Sequence, residues 1–441
     1  MQNKSLAKEV ISNIIPAIVV EIMILIYNLA DTFFIAQTND PLQIAAVSIA
    51  GPVFFVLIAM GIIFMAGSMS CISRALGAGD KKRADNIASF CVWTGIAAGF
   101  ILALIFMCFI EKILRLIGAS PDTFSFAYNY LSIVIASGPF VIFSMTSGGI
   151  MRAENHASAA MVGQIFGNML NVVLDPIMIL YFGWGITGAA IATTTSIIIG
   201  SLYYMGYFVF RRSSLSVHIK KFRAKNGVAS GVFFIGIPAC LDPLLMSFSQ
   251  MVLSSMMSAY GDMSLAATGI AMRINQIACL IAMGAGQGVQ PLLGFCVGAE
   301  TWEKYRAMLK FALNFTIIMS LLLTASCFIF TPELVSIFLN ESEAFNYSVD
   351  FVRILLTTVL AFGIFFIFIN ALQAMGAGRA SFILSVCRQC LIYVPMLFIF
   401  NYFWGAYGLI WALPVTEIIS LVQTYIIYGK IIFDPRELKR I

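Results

Sequence analysis

Residues 14–36 read IIPAIVVEIMILIYNLADTFFIA. Apart from Glu21 and Asp31 the run is almost wholly apolar. As a helix rising ~1.5 Å per residue it is long enough to cross the ~30 Å hydrocarbon core of a bilayer. It is too long for the apolar core of a signal peptide, and MQNKSLAKEV before it brings no small-residue cleavage site. It therefore reads as a retained first span. A carboxylate at mid-membrane costs about 2–4 kcal/mol, so Asp31 needs a reason to be there.

The rest of the chain repeats this pattern. Of 441 residues, 60% are hydrophobic and only 11% charged, and the mean hydropathy is +0.94. A soluble domain is about a quarter charged, which excludes a soluble helical bundle. Twelve apolar runs are predicted to span a membrane: 10–36, 44–71, 87–110, 123–147, 157–182, 187–210, 228–258, 264–296, 307–330, 346–371, 380–402 and 406–430. The nine cysteines are scattered, mostly inside these runs, and read as small helix residues. Cys387 and Cys390 have no second Cys or His pair to complete a metal site.

Charge sets the orientation. Alternate loops collect 22 of the 26 Lys and Arg, among them Lys81, Lys82, Arg83, Arg152, Arg211, Arg212, Lys220, Lys221, Lys304, Arg379 and Arg388. The exceptions are Lys112, Arg115, Arg273 and Arg353. Positive loops stay inside, so both termini are expected in the cytoplasm, as an even number of spans requires.

The chain also resembles itself. Pro16 has a counterpart at Pro238, GAGD (77–80) at VGAE (297–300), and GWGITGAAIA (183–192) at FWGAYGLIWA (403–412), at offsets of 220 to 222 residues. Six spans per half make these parallel repeats. The expected architecture is an all-α polytopic membrane protein: twelve transmembrane helices in two pseudo-symmetric six-helix lobes around a central cleft. The N-terminal lobe is expected at 1–210, a basic cytoplasmic linker at 211–227 and the C-terminal lobe at 228–441. The linker, RRSSLSVHIKKFRAKNG, reads as a solvated segment at the anionic leaflet. No GxxxxGK[ST] phosphate loop occurs, so energy must come from an ion gradient or a partner. Gly and Pro interruptions at MAGSMS (65–70) and MGAGQGVQP (283–291) read either as hinges or as places where helices pack closely.

Depth sorts the buried acids. Asp31, Asp175 and Thr193 each lie about five to seven residues from the outer end of their spans, or about 8–11 Å below the boundary. Asn171 precedes Asp175 by one helical turn and shares its face. Asp31, Asn171, Asp175 and Thr193 can therefore meet in one pocket. Two charged carboxylates held close repel each other, so the pair can take up H⁺, or bind Na⁺ with amide and hydroxyl oxygens as co-ligands. Pro176 is expected to break the helix beside Asp175 and free a carbonyl for the site. The alternative is that the two acids merely cap kinks. The offset places Leu253 where Asp31 would recur, and 393–396 (YVPM) where Asp175 would, so the second lobe lacks this pair. Glu21, Asp242 and Glu417 lie nearer the midplane. With Tyr27 and Asn28 they are candidates for a substrate cavity, or else pair with neighbouring helices.

YNLADTFF, AAVSIAGPV, SRALGAGDKKRA, MRAEN and NVVLDPIMILYFGWGITGAAIAT, in twelve spans of two related halves, resemble the multidrug and toxic compound extrusion (MATE) transporters. The resemblance covers nearly the whole chain. It implies a secondary antiporter that exports organic cations and drugs in exchange for H⁺ or Na⁺, alternating between outward- and inward-open shapes. It implies a cation-coupling site at Asp31, Asn171, Asp175 and Thr193, which would hold any bound Na⁺. It also implies a bend at Pro16, with Pro176 as a second candidate. The middle of span 10, TTVLAFGIFFIFINALQ, lacks the acid of the NorM-like branch, so a bacterial drug-exporter branch fits better.

The expectation is thus a cation-coupled antiporter of the cytoplasmic membrane, working as a monomer on amphipathic, cationic small molecules. It needs no cofactor beyond the coupling ion and has no nucleic-acid partner. A lipid-linked oligosaccharide flippase of the same superfamily is the alternative, but it would want several Arg or Lys in its cleft. An enzyme is not expected, since His156 and His218, the only histidines, fall in loops. A passive channel would fail to accumulate substrate against a gradient.

Overall fold

The computed structural model of the chain describes residues 2–38, 40–210, 212–339 and 343–440, and every regular element among them is helical. Along the first half run α1 (Gln2–Ala36), α2 (Pro41–Gly77), α3 (Lys81–Ile117), α4 (Pro121–Ala136), α5 (Gly138–Ala153), α6 (Ala157–Asp175) and α7 (Gly185–Val209). There follow α8 (Val228–Met257), α9 (Asp262–Gly298), α10 (Trp302–Ile329), α11 (Thr331–Ser336), α12 (Glu343–Leu356), α13 (Thr358–Met375), α14 (Gly378–Val386) and α15 (Val394–Phe433). A π-helical segment, Pro176–Tyr181, continues α6, and a second, Cys387–Tyr393, leads from α14 into α15.

Local chemistry sets the ends. The Asp40 carboxylate accepts from the Leu42 amide with Pro41 at the first helical position, and Asp80 accepts from the Arg83 amide at 2.9 Å. Ser120 and Thr123 form a reciprocal capping box at the head of α4. Gly118, in the left-handed region at φ 95°, ends α3.

Ten helical stretches among the described residues are long and apolar enough to span a membrane, and α4 with α5, bent by 46°, makes another. The stretch Gly378–Phe433 is 56 residues long. At ~1.5 Å per residue that is ~84 Å, far beyond one bilayer crossing, so it comprises two spans. The break is at Gly405, whose φ of 58° and ψ of −136° no L-residue adopts comfortably. Twelve spans result, as the hydropathy pattern predicts.

The repeat is written into the backbone. Left-handed residues recur as Gly79 and Glu300, Asn155 and Gly376, and Gly185 and Gly405, at offsets of 220 or 221 residues. α2 and α9 are each 37 residues long and 221 apart.

Two compact units emerge from the packing: a first lobe, Ile22–Gly236, and a second lobe, Met1–Glu21 with Ile237–Ile441. The divisions fall inside α1 and α8. Each lobe therefore includes the leading part of the other half's first helix. Glycines make that possible. In the first lobe, a Cβ on Gly67 of α2 would lie 2.5 Å from the Val232 carbonyl oxygen of α8, and one on Gly236 would strike the carbonyl of Ile63. In the second lobe, Cβ atoms on Gly284 and Gly288 of α9 would lie 2.5 and 2.6 Å from the Cα atoms of Ile18 and Ile14 in α1. α2 and α9 run unbroken through these stretches, and the small residues there form close-packing surfaces.

The basic segment between the halves is not free. Glu154, just past α5, accepts hydrogen bonds from the Ser213 hydroxyl (2.6 Å), the Ser214 amide and hydroxyl (2.8 and 2.7 Å) and the Leu215 amide (3.1 Å). Asp85 of α3 accepts from the Ser216 amide and pairs with Lys221. Ser89 and Trp93 donate to the carbonyls of His218 and Val217. Residues 213–221 thus form a strap tied to the first lobe, with Arg212, Ser214 and residues 218–227 exposed to solvent. Arg211 lies outside the described residues.

Candidate cation-coupling site

Three helices of the first lobe bring the four predicted residues together. α1 supplies Tyr27 and Asp31, one turn apart; α6 supplies Asn171 and Asp175, also one turn apart; α7 supplies Thr193. Asp175 is fully buried, and Asn171 and Thr193 are 2% and 3% exposed. The Asn171 amide nitrogen donates to the Asp175 carboxylate and to the Thr193 hydroxyl, each at 3.3 Å. The Tyr27 side chain reaches the neighbourhood of Thr193 and both acids. Asp31 is close enough for its charge to act on Asp175.

What this network leaves unpaired is as informative as what it pairs. Asp31 Oδ1, Asn171 Oδ1 and Asp175 Oδ2 are buried and have no hydrogen-bond partner. All three are acceptors, two of them on carboxylates. Buried polar atoms are normally satisfied, so two orphaned oxygens in this network and a third on neighbouring Asp31 call for something positive. A proton turns a carboxylate oxygen into a donor. A small hard cation takes oxygen ligands of this kind. The donor set fits either.

Pro176 does not end the helix. Having no N–H, it cannot bond the Val172 carbonyl, and the chain widens into the π segment Pro176–Tyr181 instead of breaking. Pro16 sits buried within α1, which stays helical through it.

Tyr130 of α4 was not foreseen. It is 8% exposed and close enough to feel the charges of Asp31 and Asp175 as well as Tyr27. It lies about seven residues into its span from the outer end, the depth of Asp31, Asp175 and Thr193, so extending the depth argument to hydroxyls finds it. Ser196, one turn beyond Thr193, has a buried hydroxyl without a partner.

The other candidate residues lie elsewhere. Asn28 is exposed and spends its amide on the Ile24 carbonyl of its own helix. Glu21 accepts from Gln287 of α9 at 2.7 Å. Arg388 does not lie in a loop: it is 2% exposed, inside the penultimate span. Its guanidinium binds Glu417 at 2.9 Å and both oxygens of Asp242 at 3.2 and 3.3 Å. One internal arginine thus engages both acids.

The model of the family described as MatE matches residues 16–177 and again 238–399, one match per repeat. The multidrug export protein MepA of Staphylococcus aureus (strain MSSA476) is 31% identical over 428 residues, which is 96% of this chain and 94% of that protein. Among solved structures, an outward-facing multidrug resistance MATE family transporter of the MOP superfamily superposes with a TM-score of 0.93 at 25% identity, over 99% of this chain and 97% of that one. A crystal structure of MATE in complex with MaD3S gives 0.94, again at 25% identity and over the same shares.

Proposed function

The chain belongs to the MatE family of membrane transporters and is not an enzyme, and from that premise we propose that it is a multidrug exporter driven by cation entry. It exports amphipathic organic cations across the plasma membrane, with both termini in the cytoplasm, in exchange for H⁺ or Na⁺. The observation that carries this reading is the trio of unpartnered oxygens on Asp31, Asn171 and Asp175.

The roles follow from position. Asp31 and Asp175 hold the coupling cation. Asn171, fixed between Asp175 and Thr193, keeps its own carbonyl oxygen turned to the ion. Tyr27 of α1 lies near Thr193 of α7, so a change at Asp175 is passed to α1. Filling the site removes the repulsion between the two acids and lets α1, α6 and α7 repack. Pro16 in α1 and the π segment after Pro176 are where those helices can bend. Coupling requires the cation to bind one conformation better than the other. The relative from Staphylococcus aureus is a multidrug export protein, which supports small molecules as the cargo.

The flippase alternative is weaker on physical grounds. Arg388, a buried arginine that could meet an anionic head group, is already matched by two carboxylates.

The test is dye efflux from proteoliposomes, with a pH gradient and a Na⁺ gradient imposed separately. Wild-type protein should accumulate dye against its gradient under one of them. Asp31→Asn and Asp175→Asn should each abolish that transport while remaining folded. Normal efflux by both variants removes the ion-site assignment.

A further inference from the structure

The triad in the second lobe is unbalanced. Arg388, Asp242 and Glu417 carry one positive and two negative charges when all are ionised. Phe365 and Phe362 cover the guanidinium, at 4.9 and 5.6 Å from their ring centroids. A net negative charge inside a span is expensive, and an arginine balances only one of the two acids.

The two acids are not alike. Asp242 engages the guanidinium through both oxygens, and its side chain is 19% exposed. Glu417 is 4% exposed at the side chain and uses one oxygen. Its second, Oε2, is buried without a hydrogen-bond partner. The Tyr393 hydroxyl, on a residue 2% exposed, is likewise unpartnered and close enough for its ionised form to feel Glu417.

We infer that Glu417 is an exchangeable-proton site in the second lobe, with the Asp242–Arg388 pair as its fixed partner. A proton on Oε2 brings the triad to neutrality. It also removes the charge from a buried oxygen that has no hydrogen-bond partner. The groups facing Glu417 are Asp242 from α8, Arg388 and Tyr393 from the π segment and Cys279 from α9. α13 contributes the rings of Phe362 and Phe365. A metal cation is disfavoured, because the guanidinium bonded to Glu417 repels it. Binding a proton weakens the Glu417–Arg388 bond and leaves Arg388 to Asp242. The π segment Cys387–Tyr393 is then less firmly tied to α15. This site does not repeat the first-lobe pair, whose counterpart positions hold Leu253 and residues 393–396.

Infrared difference spectroscopy across a pH step tests the inference, using the full chain in lipid with Asp31→Asn and Asp175→Asn. Those changes silence the first-lobe acids, so this test does not depend on the proposed coupling site. A titrating carboxylic-acid band should remain. It should move when the protein carries isotope-labelled glutamate, vanish in Glu417→Gln and survive Glu21→Gln. The inference is overturned if the background chain has no titrating glutamate band, or if the band persists in Glu417→Gln. Should Glu417→Gln fail to fold, a titrating band that isotope-labelled glutamate leaves unmoved overturns it equally.

Discussion

Glu154→Ala should release the strap that ties residues 213–221 to the first lobe. Glu154 accepts four hydrogen bonds from Ser213, Ser214 and Leu215. They end on a carboxylate but are partly open to water, so each contributes about 0.5–1 kcal/mol net. Losing all four costs the docked strap about 2–4 kcal/mol. At tenfold per ~1.4 kcal/mol, the open fraction rises roughly 30- to 700-fold. Lys220, Lys221, Arg223 and Lys225 are exposed trypsin sites at its far end. Where reclosing outpaces cleavage, the rate of cutting follows the open population. Limited trypsin digestion of the purified protein, with the cut mapped by mass spectrometry, should therefore split the chain between its halves at least tenfold faster in the variant. Asp85→Ala, which removes the Ser216 and Lys221 contacts, should act in the same direction. An unchanged rate in both variants refutes the docking energetics.

Gly288→Ala places a methyl group against the Ile14 backbone, which cannot step aside as a side chain can, and should cost about 1–3 kcal/mol, read as a lower melting temperature in detergent. Arg388→Met strands two buried carboxylates and should destabilise by about 3–5 kcal/mol, whereas adding Asp242→Asn and Glu417→Gln should recover most of that loss in the same melt. Thr193→Val removes the hydroxyl that joins α7 to α6 and should lower efflux without abolishing it, since both carboxylates remain; wild-type efflux refutes the linking role. Tyr130→Phe should leave folding intact and shift the pH dependence of efflux, checked by the same dye assay over a pH series.

The fold was legible because membrane spans are the simplest signal a sequence carries: apolar length decides them, and the repeat checks the count. The meeting of Asn171, Asp175 and Thr193 was legible for a related reason. Depth in the bilayer is nearly one-dimensional, so residues at equal depth on spans of one lobe are candidates to meet. Tyr130 was missed because only carboxylates and their amide and hydroxyl neighbours on spans 1, 5 and 6 were placed by depth. Arg388 was counted with the loops because it lies near a span end beside Cys387, Gln389 and Cys390, and charge counting assumes a basic residue seeks water. Two acids on other helices overrule that assumption, and neither is near it in sequence. The strap was invisible for the same reason: its anchors at Glu154 and Asp85 lie 60 and 131 residues before the amides of Ser214 and Ser216. The split of each lobe inside α1 and α8 depends on glycine contacts between helices, which no periodicity reports.

The central claim is that export and cation entry are one process through Asp31 and Asp175. The most direct test runs it backwards, using a substrate gradient alone to drive cation movement in proteoliposomes, followed by an entrapped pH dye and by radioactive sodium in separate preparations. The account predicts substrate-dependent movement of one of the two ions by wild-type protein and none by Asp31→Asn or Asp175→Asn. Substrate movement without either ion, or ion movement that persists in both variants, contradicts it.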